Sequence, residues 1–148
     1  ISFLFSALSQ SHERALLKRA YQSDACEQKA RLLIAKNCPS IDRKFIDAAV
    51  IVGSLFFDNH ASSGNSTFAK QFGKCCFAEA SLQRRWEDMM DARDKTFEHR
   101  LRRLVKLMYS RFPNASFNYR QLFIDLSLMQ TSFRDDILAR WYEDVIGR

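Results

Sequence analysis

Residues 81–112 read SLQRRWEDMMDARDKTFEHRLRRLVKLMYSRF, and their spacing predicts two helices separated by a charged break at 91–95. At about 100° per residue, the second helix gathers its apolar side chains into one buried stripe: Phe97, Leu101, Leu104, Val105 and Met108. The opposite side carries His99, Arg100, Arg102, Arg103 and Lys106. A solvated helix usually mixes charge signs along its surface. Residues 99–111 hold five Lys or Arg and no carboxylate, which indicates that this side faces an external polyanion.

The composition favours an all-helical chain. Only four Gly and two Pro occur in 148 residues, whereas β-sandwiches and barrels need many of both in their turns. The length suits one domain with its own core. We therefore expect an all-α single domain over residues 1–148, a bundle of about eight helices. Its N-terminal helices would span 11–57 and its basic C-terminal part 67–147.

The charge balance indicates an anionic partner. The formal net charge is +6, with the basic surplus in the first helix and in residues 67–111, which suits a nucleic acid or an anionic surface. The opening ISFLF is too short to cross a bilayer, and no other stretch could span one. The four cysteines have no framework spacing, so we expect reduced thiols and a cytoplasmic location.

Three helices are predicted on the N-terminal side. These helices should span His12–Tyr21, Asp24–Ala35 and Ile41–Phe57. Ser11 is the expected N-cap of the first helix and Ser40 that of the third. The third is the most apolar and should be central. Gly53 lies inside it at a cost of about 1 kcal/mol relative to Ala, which predicts close approach of another backbone. A polar loop, Asp58–Ser66, should follow.

The remaining predicted elements flank the basic stretch. A short helix, Thr67–Cys76, places Lys70 and Lys74 on one side, one turn apart. Ser81 is the expected N-cap of the next helix, which should bury Leu82, Trp86 and Met89. After a turn at 113–116, further helices are expected at 118–129 and from Ser132, the last with an apolar stripe of Ile137, Trp141 and Val145.

No residue pattern predicts catalysis. The three histidines and four cysteines lack CxxC, HxxxH and HExxH spacings, so no metal site is expected. The adjacent pairs Glu98-His99 and Asp135-Asp136 point in different directions on a helix, and no nucleophile lies beside a base. Phosphate-binding glycine loops are also missing from the sequence. We therefore expect no enzyme activity and no cofactor.

The arginine pairs Arg84-Arg85 and Arg102-Arg103 are candidate phosphate contacts. Neighbouring residues on a helix diverge by about 100°, so one of each pair could line a groove while the other pairs with a carboxylate. Trp86 and Tyr109 could stack on bases, although core packing is the better interpretation of Trp86. Few aromatic residues are interleaved with the basic ones, which favours recognition of the backbone and little sequence preference.

Two other functional classes remain open from the residues alone. A helix-turn-helix DNA-binding regulator would fold 67–90 around a turn at Gly73. Its recognition helix would then present Glu87, Asp88 and Asp91 to a groove that repels carboxylates, so we rank this second. A protein–protein adaptor is the third class, and it would bind nucleic acid negligibly at physiological salt.

Five segments in order carry a resemblance to a known family. They are GNSTFAKQFGK, LQRRWEDMMDARD, HRLRRLVKLM, FNYRQLFIDL and ILARWYEDVI. With RALLKRAY near the start, this order is similar to that of the CasB family, the small subunit of the type I-E CRISPR Cascade complex. The likeness covers most of the chain from Glu13 onward.

The resemblance implies an all-helical, non-catalytic subunit of an antiviral ribonucleoprotein. Its partners would be the CRISPR RNA, the target and displaced DNA strands, the backbone and large subunits of Cascade, and a second copy of itself. It would stabilise the guide RNA–target DNA heteroduplex and the displaced strand of the R-loop. The basic residues expected to contact nucleic acid, from pattern and resemblance together, are Arg14, Lys18, Arg19, Lys70, Lys74, Arg84, Arg85, Arg100, Arg102, Arg103 and Lys106.

The sequence departs from the family pattern at three of these segments. In one of them the family's Asp-Trp pair appears as Asn118-Tyr119. Lys70 stands where the family has an Arg, so a bidentate phosphate contact is lost there. The family's Ala-Asp-Arg order appears as Ala92-Arg93-Asp94, with the last two residues exchanged.

Overall fold

The computed structural model describes residues 11–58 and 64–147. This part of the chain contains eight α-helices and no strand, which confirms the all-α prediction. We number the helices α1 (Ser11–Lys18), α2 (Asp24–Asn37), α3 (Ile46–Asp58), α4 (Phe68–Ala78), α5 (Ser81–Asp91), α6 (Asp94–Arg111), α7 (Tyr119–Met129) and α8 (Arg134–Gly147).

Helix α3 separates two hydrophobic cores, as its continuous apolar sequence predicts. Ala48, Val52 and Leu55 face one core, while Ile46, Ala49 and Val50 face the other. A helix that is apolar on all sides is buried on all sides. Of its described residues, only the last, Asp58, is exposed.

The C-terminal core, built from α3 to α8, is filled by aromatic rings. Trp86 of α5 stacks on Phe72 of α4 with centroids 5.2 Å apart, and Phe68 meets Trp141 of α8 at 5.5 Å. Both tryptophans are essentially buried, each 1% exposed. Large rings in direct contact contribute most of the burial energy of such a core. The core therefore gives α5 and α6 a well-packed base.

The N-terminal core, built from α1 to α3, consists of smaller aliphatic side chains such as Leu17, Ala30 and Ile34. Gly53 of α3 lies here, where a Cβ atom would meet the Leu17 side chain at 3.1 Å. The predicted backbone contact at Gly53 is therefore wrong, because a side chain occupies that position. The close backbone approach occurs instead at Gly73 of α4, where a Cβ would lie 2.6 Å from the Val145 carbonyl oxygen.

The helix starts differ from the sequence predictions at three serines. Ser81 is already the first residue of α5, because Ala80 before it has helical dihedrals and no side chain caps the helix. Ser40 does not cap α3, since a short 3₁₀ turn at 43–45, capped by Asp42, precedes the helix. Ser132 lies two residues before α8 begins at Arg134.

The first helix is also shorter than predicted, ending at Lys18, and Ser11 is its first residue. Most of the predicted loop, 59–63 with His60, lies outside the described residues. All four cysteines lie in the described part, and none forms a disulfide. Across the described residues, no helix is long and apolar enough to cross a membrane.

Candidate nucleic-acid groove

Helices α5 and α6 pack side by side after a connection of two residues, Ala92 and Arg93. Two side-chain contacts show that α5 and α6 run antiparallel. Arg100 near the start of α6 donates a hydrogen bond to the Asp88 carbonyl near the end of α5, at 2.5 Å. Arg111 at the end of α6 forms an ion pair with Glu79, which lies just before α5. The apolar stripes of both helices face the C-terminal core, so their polar sides form a shared surface.

A groove of about 540 Å³ runs along this surface between α5 and α6. Its lining combines four cations with one carboxylate and an apolar floor: Arg85, Arg100, Arg103, Lys106, Asp88, Ser110, Leu104 and Leu107. We call it the α5–α6 groove. Four of the eleven basic residues expected to contact nucleic acid thus lie together. Such an excess of positive charge in a concave surface attracts a polyanion.

Within residues 11–58 and 64–147, no carboxylate forms an ion pair with a cation of this groove. Arg85, Arg103 and Lys106 are exposed, and none of them pairs with a carboxylate of the described residues. Among the described residues, the guanidinium of Arg100 contacts the neutral carbonyl of Asp88 and forms no ion pair. Charged groups without internal partners remain available to an external phosphate, and arginine can offer it two parallel hydrogen bonds.

The two arginine pairs divide as their helical geometry predicts. Arg85 lines the α5–α6 groove, whereas Arg84, about 100° further round the helix, is exposed outside it. Arg84 has no carboxylate partner among the described residues, so the expected pairing of the second arginine does not occur. Arg103 lines the groove as well, while Arg102 does not.

Arg102 lies outside the groove and lines a different cavity, and this placement corrects the expectation that it acts beside Arg103. Its guanidinium covers the ring of Tyr21, 3.5 Å from the centroid, in the connection between α1 and α2. Burial lowers the pKa of Arg102, an effect that Tyr21 and Asp58 partly offset. A half-buried arginine of this kind fastens α6 to the N-terminal helices.

The surroundings of Arg102 form a charged cavity of about 280 Å³ between α6 and the N-terminal helices. Here the charges are paired within the chain. Lys95 of α6 contacts Glu27 of α2 at 2.5 Å, and the bond to Glu27 raises the pKa of Lys95. Burial raises the pKa of Glu98, which lies 3.9 Å from the Lys95 ammonium group. We call this region the α2–α6 interface.

The other predicted contact residues lie apart from the α5–α6 groove. Lys70 and Lys74 are exposed on α4, and Lys74 lines a separate cavity with Arg111 and the connection between α6 and α7. Three more are exposed in or just after α1: Arg14, Lys18 and Arg19. Arg19 donates to the Ala15 carbonyl at 3.3 Å.

The two aromatic candidates for base stacking are buried. Trp86 lies in the aromatic core, which confirms the preferred interpretation. Tyr109 is 7% exposed, and its hydroxyl lies 3.0 Å from that of Tyr119. Burial raises the pKa of both tyrosines. Base stacking on either of these two rings is therefore excluded.

The fold also argues against the helix-turn-helix alternative. Gly73, the residue required for its turn, lies inside α4 and packs against the backbone of Val145 in α8. The actual turn between α4 and α5 contains only Glu79 and Ala80. The turn that this alternative requires at Gly73 is therefore not formed, and Gly73 serves close packing inside the predicted helix instead.

Arg111 is the residue of this region that the sequence interpretation left out of its candidate contacts. It belongs to the carboxylate-free run at 99–111. Its position four residues after Leu107 places it on the groove side of α6. The signal was therefore in the sequence, but its partner Glu79 could not be found without the fold.

The fold and the groove together define a class: an all-helical protein with exposed cations between two antiparallel helices. The comparisons with known proteins identify the family. The model of CRISPR-associated protein Cse2 matches residues 13–144, and the chain belongs to this family, the Cse2/CasB small subunit of type I-E Cascade. The resemblance found in the sequence is thereby confirmed. No curated protein matches the sequence.

Two solved structures share the fold, and both come from Thermus thermophilus. A CRISPR-associated protein of the Cse2 family superposes with a TM-score of 0.82 at 19% identity. A structure of CasB gives a TM-score of 0.80, also at 19% identity. Each likeness covers 99% of this chain and 95% of the solved chain. At this identity the likeness establishes the fold, and the residues of the groove are interpreted from their own geometry.

Proposed function

We propose that this chain is a non-catalytic subunit of a Cascade particle and binds nucleic-acid backbone through the α5–α6 groove. The unpaired cations of the groove, in a chain of the Cse2 family, are the observation that carries this proposal. The particle would be a cytoplasmic ribonucleoprotein for antiviral defence. It would contain the CRISPR RNA, the backbone and large subunits, and a second copy of this chain.

The mechanism follows from the energetics of strand exchange. In RNA-guided recognition, base pairing with the guide reads the sequence, while the protein recognises shape and backbone. Replacing a DNA duplex with an RNA–DNA heteroduplex is nearly balanced in free energy. A few phosphate contacts to the heteroduplex or the displaced strand are then enough to favour the open state. Each such contact releases counterions, so its contribution falls as salt rises.

The groove suits backbone better than bases. Arg85, Arg103 and Lys106 are exposed charges, and the aromatic side chains next to them in sequence face the core. Positively charged surfaces without stacking platforms bind phosphates with little sequence preference. The remaining exposed candidates, Lys70, Lys74, Arg84 and the α1 residues, would extend this surface in the assembled particle.

Reversal of two groove charges tests the proposal. In a particle assembled with Arg103→Glu and Lys106→Glu, we expect the R-loop to dissociate at least about tenfold faster at physiological salt. The salt dependence of binding should weaken by roughly 1.4 to 1.8 in log–log slope, because two phosphate contacts are lost. Both side chains are exposed and have no carboxylate partner among the described residues, so the variant should fold normally.

A matched control is available on α2. Lys29→Glu and Lys36→Glu make the same change in net charge at exposed positions outside the groove lining. The control particle should keep the R-loop lifetime of the wild type. A folded groove variant that also keeps that lifetime would refute the proposal. Equal affinity of the isolated chain for duplexes of different sequence would separate it from a sequence-reading regulator.

A further inference from the structure

The α5–α6 groove ends at an ion pair. Arg111, in the last turn of α6, pairs with Glu79 in the turn between α4 and α5. Arg111 follows Leu107 by four residues and Leu104 by seven, so it projects within about 40° of both on the helix. Because these two leucines line the groove, Arg111 points to the same side, one turn further along α6.

A second surface lined by cations begins beyond this ion pair. Arg111 also lines a cavity of about 350 Å³ with Lys74 of α4 and Asn114 of the connection after α6. The Arg111–Glu79 pair therefore stands between the groove and Lys74. From Arg103 to Arg111 the axis of α6 advances about 12 Å, close to the rise of three to four stacked nucleotides. A strand bound along the groove would reach Arg111 next.

The Arg111–Glu79 pair is suited to exchange. The Arg111 side chain is 45% exposed and the Glu79 side chain 28%. Ion pairs that are partly open to water contribute little to stability. A phosphate diester can replace the carboxylate, because its two free oxygens match the arginine fork equally well. Among the described residues no other carboxylate pairs with Arg111.

We propose that Arg111 is a further phosphate-binding residue, and that Glu79 competes with nucleic acid for it. The inference rests on the proposed function and extends it past the end of the groove. In the free protein, Glu79 neutralises Arg111. In the complex, the phosphate of the strand leaving the groove takes its place, and the backbone continues toward Lys74. Glu79 thus lowers the affinity of this end of the surface and limits binding of nucleic acid outside the particle.

Neutralising Glu79 tests the proposal directly. Affinity of the full chain for an oligothymidylate of about twelve nucleotides, a length within the range of single-strand sites, is measured across a salt series. Glu79→Gln should bind about three- to tenfold more tightly than the wild type, and its log–log salt slope should steepen by about 0.7, one phosphate contact on a single strand. Adding Arg111→Gln should remove both gains.

The control is Glu143→Gln, which makes the same change in net charge at an exposed position of α8. It should raise the affinity much less than Glu79→Gln. If the two single variants bind equally, or if Glu79→Gln keeps its gain after loss of Arg111, the proposal is wrong. That result leaves the proposed function intact as long as Arg103→Glu with Lys106→Glu clearly weakens binding of the same oligonucleotide. Failure of the wild type to bind the oligonucleotide would count against both.

Discussion

The two sides of α6 carry charge in opposite ways. On the side facing α2, Lys95 pairs with Glu27, and Arg102 covers Tyr21. On the side facing α5, Arg103 and Lys106 have no carboxylate partner within the described residues. The first arrangement holds the N-terminal helices to α6. The second leaves charge for an outside partner.

The difference shows why basic residues in one helix cannot be treated as one surface. Arg102 and Arg103 are adjacent, yet one side chain lies half-buried against a tyrosine and the other is exposed in a groove. A charge that already has its partners inside the protein contributes to folding. A charge without such partners is available to an outside ligand, and within the described residues Arg85, Arg103 and Lys106 of the groove are of this kind.

The largest expected effect is a loss of stability when the buried carboxylate that contacts α8 is removed. The Asp125 carboxylate is buried in the C-terminal core, where it accepts hydrogen bonds from the Trp141 indole at 2.8 Å and the Gln121 amide at 2.9 Å. It also pairs with Arg140. In Asp125→Ala three donors lose their acceptor at once, so we expect the free energy of unfolding to fall by about 3 kcal/mol.

Urea unfolding followed by circular dichroism measures this loss. Asp135→Ala is the control, because Asp135 is exposed at the start of the same helix as Trp141 and Arg140. It should change stability by less than about 0.5 kcal/mol. If Asp125→Ala had a similarly small effect, the interactions of Asp125 with Trp141, Gln121 and Arg140 would not stabilise the C-terminal core on which α5 and α6 pack.

A smaller effect is expected at the close contact between α4 and α8. In Gly73→Ala the new methyl group would lie 2.6 Å from the Val145 carbonyl oxygen and 3.0 Å from its Cα, both backbone atoms that cannot rotate away. Overpacking of this kind costs about 1 to 3 kcal/mol, of which the better helix propensity of alanine returns about 1. We expect a net loss of about 2 kcal/mol at most by the same urea measurement.

Gly53→Ala provides the matched experiment in the N-terminal core. The new methyl group would meet only the end of the Leu17 side chain, at 3.1 Å, and that side chain can shift. The cost of contact and the gain in helix propensity should nearly cancel. Equal losses at Gly53 and Gly73 would show that the aromatic core is no more rigid than the aliphatic one.

The sequence predicts the helices well because their apolar periodicity is strong. The central position of α3 follows from its lack of a polar side. The absence of a cap at Ser81 could not be predicted, since it depends on Ala80 already having helical dihedrals in a turn of two residues. That the two cores belong to one domain stays a prediction. It requires that both unfold in a single transition.

For the groove, the sequence identifies the basic helix but not the division of its charges. The count of unmixed charge begins at His99 and so leaves out Glu98, which lies four residues before Arg102 on the same side of α6. If the count of charges had included Glu98, it would have placed Arg102 on the side of α6 where carboxylates balance the basic residues. The contact with Tyr21 could not be inferred, because it joins residues 81 positions apart in the chain.

Replacing each of the two adjacent arginines of α6 by methionine tests the comparison itself. Arg102→Met keeps the aliphatic stem but removes the guanidinium that covers Tyr21, so we expect a loss of about 1 kcal/mol in stability. Nucleic-acid affinity should change by less than about twofold, because this charge faces the α2–α6 interface. Arg103→Met should do the reverse, with unchanged stability and clearly weaker binding, since its side chain is exposed in the groove. Urea unfolding and a salt series of binding, performed on both variants, supply the two measurements. If Arg102→Met weakens binding as much as Arg103→Met, both sides of α6 contact nucleic acid and the division between them does not exist.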